Sequence, residues 1–140
     1  MTDAKALYQA RILELDENPK NEGRLEDATH SARCSNPLCG DRVQVDLRVE
    51  DGVVKEARFT GRGCALSRAS ASMLTVDVLG LTPEQAEARE GALEAWLSGE
   101  GEPPRSEAGI EALSGVRSFP SRIRCVTLPW EALRKALGEG

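Results

Sequence analysis

Imidazole is almost missing from this chain. His30 is the only histidine in 140 residues, so chemistry built on a histidine base or a histidine-rich metal site has a single candidate. Aromatic residues are scarce too, at 4%: Tyr8, Phe59, Trp96, Phe119 and Trp130. No basic stripe is present, with 18 Lys and Arg against 23 Asp and Glu for a formal charge of −5. Nucleic-acid binding normally needs a concentrated positive surface, so that class is set aside. No apolar run approaches the roughly 20 residues that span a bilayer. The opening "MTDAKALYQARILELDENPKN" is charged throughout, unlike a secretory leader. The expectation is a cytoplasmic protein without nucleic-acid or membrane partners, in which thiols stay reduced.

The remaining composition is that of a globular protein, 40% apolar and 29% charged. The length suits one domain, residues 1–140, with a core that needs no disulfide staples. Leu7, Ile12 and Leu15, with Ala6 and Ala10 between them, suggest an opening helix that "ENPKNEG" terminates. Residues 24–36 show no clear period and are open to either a short strand or a loop. Leu66, Ala69, Met73 and Val76 follow helical spacing up to Gly80. Thr82, Pro83 and Gln85 then form the cap of another helix. "SGEGEPPRSEAG" is a surface loop before a short helix through "IEALSG". In the last segment Ile123, Val126, Trp130, Leu133 and Leu137 line one stripe, with Cys125 about 100° off it. Pro129 lacks the amide that would bond the carbonyl of Cys125.

Between these helices, "VQVDLRV" (43–49) alternates strictly, and "VVKEARF" (53–59) carries apolar groups at 53, 57 and 59. The expected hairpin turns on three residues, Glu50-Asp51-Gly52, with Gly52 at positive φ. It pairs Val43 with Phe59, Val45 with Ala57 and Val49 with Val53, which matches the apolar faces. Extended, this register places Cys39 opposite Gly63 and Leu38 opposite Cys64. Cys39 and Cys64 become neighbours at the hairpin mouth, and Asp41 shares the strand parity of Cys39. Gly61 and Gly63 allow close backbone approach there.

Cys39, Asp41, Cys64 and Cys125 make a four-coordinate donor set for zinc or for the irons of an iron–sulfur cluster. Cys64 precedes a helix, where free amides and the dipole favour a thiolate. The alternative for each cysteine is a small buried hydrophobe, and on these grounds alone Cys125 fits either role. Cys34 lies outside the set; a spare ligand or a resolving thiol is the alternative, and it is read first as packing. His30 is read as a surface or internally bonded side chain, and Trp96 and Trp130 as core. Arg124 is either a solvated cation or one that lowers the pKa of nearby thiols.

"NPLCGD", "GRGCALSRASASML" and "FPSRIRCVTLPW" resemble the three signature segments of the U-type iron–sulfur assembly proteins (IscU, SufU and the N-terminal part of NifU), and "LYQARILELDENPKNEG" resembles that family's opening helix. The resemblance covers nearly the whole chain. It implies an α+β fold, a small three-stranded antiparallel sheet with several helices packed against it, of the SufE/NifU-like kind. By motif it assigns the metal site to Cys39, Asp41, Cys64 and Cys125. Arg124 stands where the scaffold branch has histidine, and "SFPSR" where that branch has its chaperone-recognition segment. The stretch between the second and third motif cysteines is also longer. These departures resemble the SufU branch, whose members hold zinc and accept sulfur from a cysteine desulfurase of the SufS/IscS type. On that branch Cys39 is the first-choice acceptor, and on the scaffold branch Cys125 is. Cys39, Cys64 and Cys125 would hold a transient [2Fe–2S] cluster if one assembles, for delivery to downstream carriers or apo-proteins. Two readings without this chemistry stand beside it: a small structural zinc module, and a cysteine-nucleophile transferase with His30 as its only histidine base.

Overall fold

The computed structural model describes residues 10–37 and 40–139. The expected opening helix is seen as α1 (Ala10–Glu17), where Ile12 and Leu15 are buried; its earlier positions, Ala6 to Tyr8, lie outside the described residues. The ambiguous stretch 24–36 resolves into a loop followed by β1 (His30–Asn36). Then come β2 (Asp41–Glu50), β3 (Val53–Arg62), α2 (Ala65–Asp77) and α3 (Pro83–Leu97). Two 3-10 segments, Ile110–Ser118 and Pro120–Arg122, lead into α4 (Ile123–Glu139). The strands form one antiparallel sheet in the order β1-β2-β3. This is the α+β arrangement that the resemblance implied.

The hairpin register differs from the expected one. Glu50 pairs directly with Val53 across a two-residue Asp51-Gly52 turn, and both turn residues have positive φ, 55° and 79°. Such a turn matches the right-handed twist of the flanking strands. Alone it would set apolar side chains against polar ones, but the register shifts between Arg48 and Val49. The bulge gives β3 one extra residue, Lys55, and restores the parity. The pairs are therefore Leu47 with Ala57, Val45 with Phe59 and Val43 with Gly61, in place of Val43–Phe59, Val45–Ala57 and Val49–Val53. Face matching was the correct criterion, and a bulge met it where a longer loop was expected. Gly52 has the positive φ anticipated for it.

Val43, Val45, Leu47, Ala57 and Phe59 line the buried face of the sheet. Helix α4 packs on β1, β2, α2 and α3, and α2 packs on β3 and α1. Enclosed on several sides, α4 buries more than one stripe: Leu128, Ala132 and Ala136 join Val126, Trp130 and Leu133, while Ile123 and Leu137 are only partly covered. Cys125, expected at the edge of that stripe, is 4% exposed. Small residues let α2 approach α4 closely, and Ser70 Oγ donates to the Val126 carbonyl at 2.6 Å, satisfying a hydroxyl buried in the core. The cap of α3 is as expected: Gln85 N donates to Thr82 Oγ1 and Thr82 N to Gln85 Oε1.

On the other face of the sheet, Asp46 is 1% exposed and anchors the loop before β1. It accepts bonds from Arg24 Nε, the Leu25 amide, Ser31 Oγ and Gln44 Nε2. Burial pushes its carboxyl up, but these four donors outweigh burial and hold it below the usual range.

Candidate metal centre

Three elements meet at the end of the sheet where β2 begins and β3 ends. Asp41 opens β2, Cys64 is the N-cap of α2, and Cys125 sits in the first turn of α4. The observed register, continued one step, sets Asp41 opposite Gly63. A Cβ on Gly63 would lie 2.1 Å from Ser67 Oγ and 3.2 Å from Asp41 Cγ, so glycine is what lets these two side chains approach. At Gly61, with φ of 154°, a Cβ would come within 2.0 Å of the Arg42 carbonyl oxygen. Both glycines therefore serve the close approach that their spacing suggested.

The donor atoms of Asp41, Cys64 and Cys125 all lie within 4.8 Å of one another. Tetrahedral zinc with ligands at about 2.0–2.3 Å holds neighbouring donors roughly 3.3–3.8 Å apart, so this cluster fits such an ion with small side-chain adjustments. Two thiols and a carboxylate are also the donor types that zinc accepts. Cys39, two residues before Asp41 in sequence, lies outside the described residues.

The electrostatics favour a cation. The hydrogen bond from Cys125 pulls the Cys64 thiol down to about 5, helped by the Ser67 amide and by Arg122 against the opposing effects of burial and Asp41. The same bond, with burial and the thiolate's charge, pushes Cys125 up. The pair thus favours the thiolate form at Cys64 over Cys125. Cys64 Sγ lies 3.7 Å from Asp41 Oδ2. Once Cys64 is ionised, that contact becomes a meeting of two negative groups, and Asp41 is 4% exposed. Arg122, hydrogen-bonded to both sulfurs, offsets part of the charge.

A cleft of about 470 Å³ gives access, lined by Asn36, Ser121, Arg122 and Arg124 around the three donors. The sequence reading did not single out Arg122, although its place three residues before Cys125 puts it on the same helical face. Ser67, whose hydroxyl donates to the Cys64 carbonyl at 3.0 Å, was missed as well. Arg124 is half exposed and paired with Glu131 at 3.0 Å. Cys34 stands on β1 opposite Val43, half-buried, with its thiol pushed up by burial and by Glu131. That fits packing. His30 pairs with Leu47, and its ring bonds Thr29. Six residue steps along β1 separate it from the Asn36–Asp41 pair, roughly 20 Å. Trp130 is buried in the core, as is Trp96, whose ring also carries the Arg117 guanidinium at 5.6 Å.

Among the described residues, no helix is long and apolar enough to cross a membrane. Residues 7–126 match the family described as NifU-like N terminal domain. The chain is 37% identical over 134 residues to the zinc-dependent sulfurtransferase SufU of Bacillus subtilis (strain 168), covering 95% of this chain and 90% of that protein. It is 35% identical over 132 residues to the iron-sulfur cluster assembly scaffold protein IscU of Streptococcus pyogenes serotype M1, covering 94% and 82%. The crystal structure of a nitrogen-fixing NifU-like protein (N-terminal) from Brucella abortus superposes with a TM-score of 0.89 at 28% identity, covering 97% of this chain and 95% of that one. Sequence, fold and clustered thiols agree: this chain belongs to the NifU-like N-terminal domain family.

Proposed function

We propose that this protein accepts sulfur from a cysteine desulfurase for iron–sulfur cluster assembly, with Cys39, Asp41, Cys64 and Cys125 as ligands of one zinc ion. The observation that carries this reading is the convergence of Asp41, Cys64 and Cys125 within 4.8 Å at the mouth of a cleft; Cys39 enters as the fourth donor on the motif alone. Bound zinc would keep its thiolates deprotonated at neutral pH. Cys39 is the first-choice acceptor on the resemblance to the zinc-holding branch, with Cys125, which is built into a packed helix, as the alternative. The acceptor thiolate attacks the outer sulfur of the donor's persulfide; one S–S bond forms, another breaks, and the donor leaves as a thiolate with no net oxidation. Arg122 stays beside Cys64 and Cys125 and offsets their charge throughout. The same reading treats residues 1–140 as one cytoplasmic domain that hands sulfur or a cluster on to carriers or apo-proteins.

The test is metal content by elemental analysis, on protein purified with and without its co-expressed desulfurase, together with sulfide or alanine release by that enzyme. One zinc per chain and stimulated turnover are expected. Zinc without stimulation would leave only a structural metal module.

A second reading, a scaffold for a nascent [2Fe–2S] cluster, rests on the scaffold names of relatives at 35% identity. Anaerobic reconstitution separates the two, since a scaffold gains a transferable visible chromophore and a zinc-held acceptor resists iron. A cysteine-nucleophile transferase lacks its base, because His30 is roughly 20 Å along the sheet from Asp41.

A further inference from the structure

The outer face of the sheet, at the end that carries the donor cluster, holds a group of cations that the proposed chemistry does not use. Arg42 on β2 and Arg62 on β3 are direct cross-strand partners. With Arg33 of β1 they line a shallow depression of about 190 Å³ whose floor includes Gln44 and Thr60, and no carboxylate lines it. Arg33, Arg42 and Arg62 are exposed, and among the described residues none of them forms an ion pair. Two other arginines here do have acidic partners: Arg24 meets Asp46, and Arg48 meets Glu50 and Glu56. Like charges placed directly opposite on a sheet destabilise it. The chain as a whole is acidic, at −5, so three uncompensated arginines in one place are not a by-product of a basic composition.

Arg42 follows Asp41, and Arg62 precedes Cys64 by two residues, so strand alternation puts the arginines on the outer face just behind the donors. Arg122 and Arg124 line the cleft from the other side. A protein that brings a persulfide to this end of the sheet approaches beside these cations.

We propose that Arg33, Arg42 and Arg62 form a docking contact for an acidic surface on the sulfur-donating protein. This rests on the reading of the chain as a sulfur acceptor. Charges at the rim of an interface act on encounter rate and salt dependence more than on the chemistry. The arginines should therefore set how much of this protein half-saturates the desulfurase, and leave the saturated rate alone.

The experiment titrates the cognate cysteine desulfurase with wild-type protein, Arg42→Glu, Arg62→Glu, and Lys55→Glu as a charge-matched control at the far end of β3. Zinc content and thermal midpoint are measured on each. The arginine reversals should raise the half-saturating concentration about tenfold at low salt, with the maximal rate unchanged and a flatter salt dependence. Lys55→Glu should behave as wild type. Equal shifts in all three variants would reduce the effect to net charge and overturn the proposal, as would a fall in maximal rate at unchanged half-saturation. Saturable binding of inorganic phosphate that the reversals abolish, with desulfurase titration unaffected, would overturn it in favour of a small-anion site. Absence of stimulation by wild-type protein at any concentration would instead refute the sulfur-acceptor reading, and the docking proposal with it.

Discussion

Gly63→Ala should loosen the metal centre without replacing a ligand. The new methyl would lie 2.1 Å from Ser67 Oγ and 3.2 Å from Asp41 Cγ. Ser67 has no exposed surface, so its side chain cannot swing into solvent. Forcing it off its rotamer costs about 1 kcal/mol. The hydrogen bond it donates to the Cys64 carbonyl at 3.0 Å is then lost, which costs about another 1 kcal/mol. The total of about 2 kcal/mol falls within the range for overpacked sites and corresponds to a midpoint about 5–8 °C lower for a chain of this size. Displacing groups that orient ligands typically lowers metal affinity about 10–100-fold. Two measurements check this: competition for zinc against a chromogenic chelator, and thermal or guanidinium unfolding of the metal-free protein. Ser67→Ala removes the atom that the new methyl strikes, so Gly63→Ala/Ser67→Ala should be more stable than the sum of the single effects, a positive coupling between neighbours. Unchanged zinc affinity with an unchanged midpoint in Gly63→Ala would refute the reasoning, and so would strict additivity in the double variant.

Asp46→Ala leaves the buried Leu25 amide without its acceptor and should cost about 2–3 kcal/mol in chemical denaturation; the ion pair with the exposed Arg24 adds little. Because the Asp46 carboxyl is held below its usual range, its stabilisation is present above about pH 4 and is lost as pH falls through the lowered value. The gap between wild type and Asp46→Ala should accordingly narrow in strong acid, and a constant gap would contradict the assignment. Asp41→Ala should stay folded and retain a metal, zinc or iron–sulfur, on its remaining thiolates, whereas Cys39→Ser should lose desulfurase stimulation. Full stimulation by Cys39→Ser would move the acceptor to Cys125, and full stimulation by both Cys39→Ser and Cys125→Ser would end the sulfur-transfer reading. Zinc should dissociate on acidification as its thiolates take up protons, and elemental analysis after dialysis across the acid range would show a flat metal content if thiolates were not ligands.

Local chemistry alone made several features of this protein readable. Strict alternation over 43–49 identified a strand, Thr82-Pro83 with Gln85 identified a helix start, and the glycines flanking Arg62 identified a crowded backbone. Each is a short-range effect of sterics or capping that few neighbours can override. The segments around Cys39, Cys64 and Cys125 carried the family through their resemblance to its signature segments, whereas spacing alone left each thiol open to a packing role. Other features depended on groups far apart in sequence. Nothing local distinguished 30–36 as a strand, since its pairing is decided by β2 and by the buried Asp46 that ties down the preceding loop. The hairpin register turned on a bulge at Lys55, where a tight Asp51-Gly52 turn and the demand for matched apolar faces had to be reconciled. Cys125 was ambiguous in sequence because a helical wheel shows one stripe, while α4 is enclosed by the sheet, α2 and α3 together. Only that packing brings its sulfur to Cys64 and Asp41 and adds Arg122 beside them. Charge compensation at a site of this kind is a property of distances across the fold, which no sequence pattern of one element can encode.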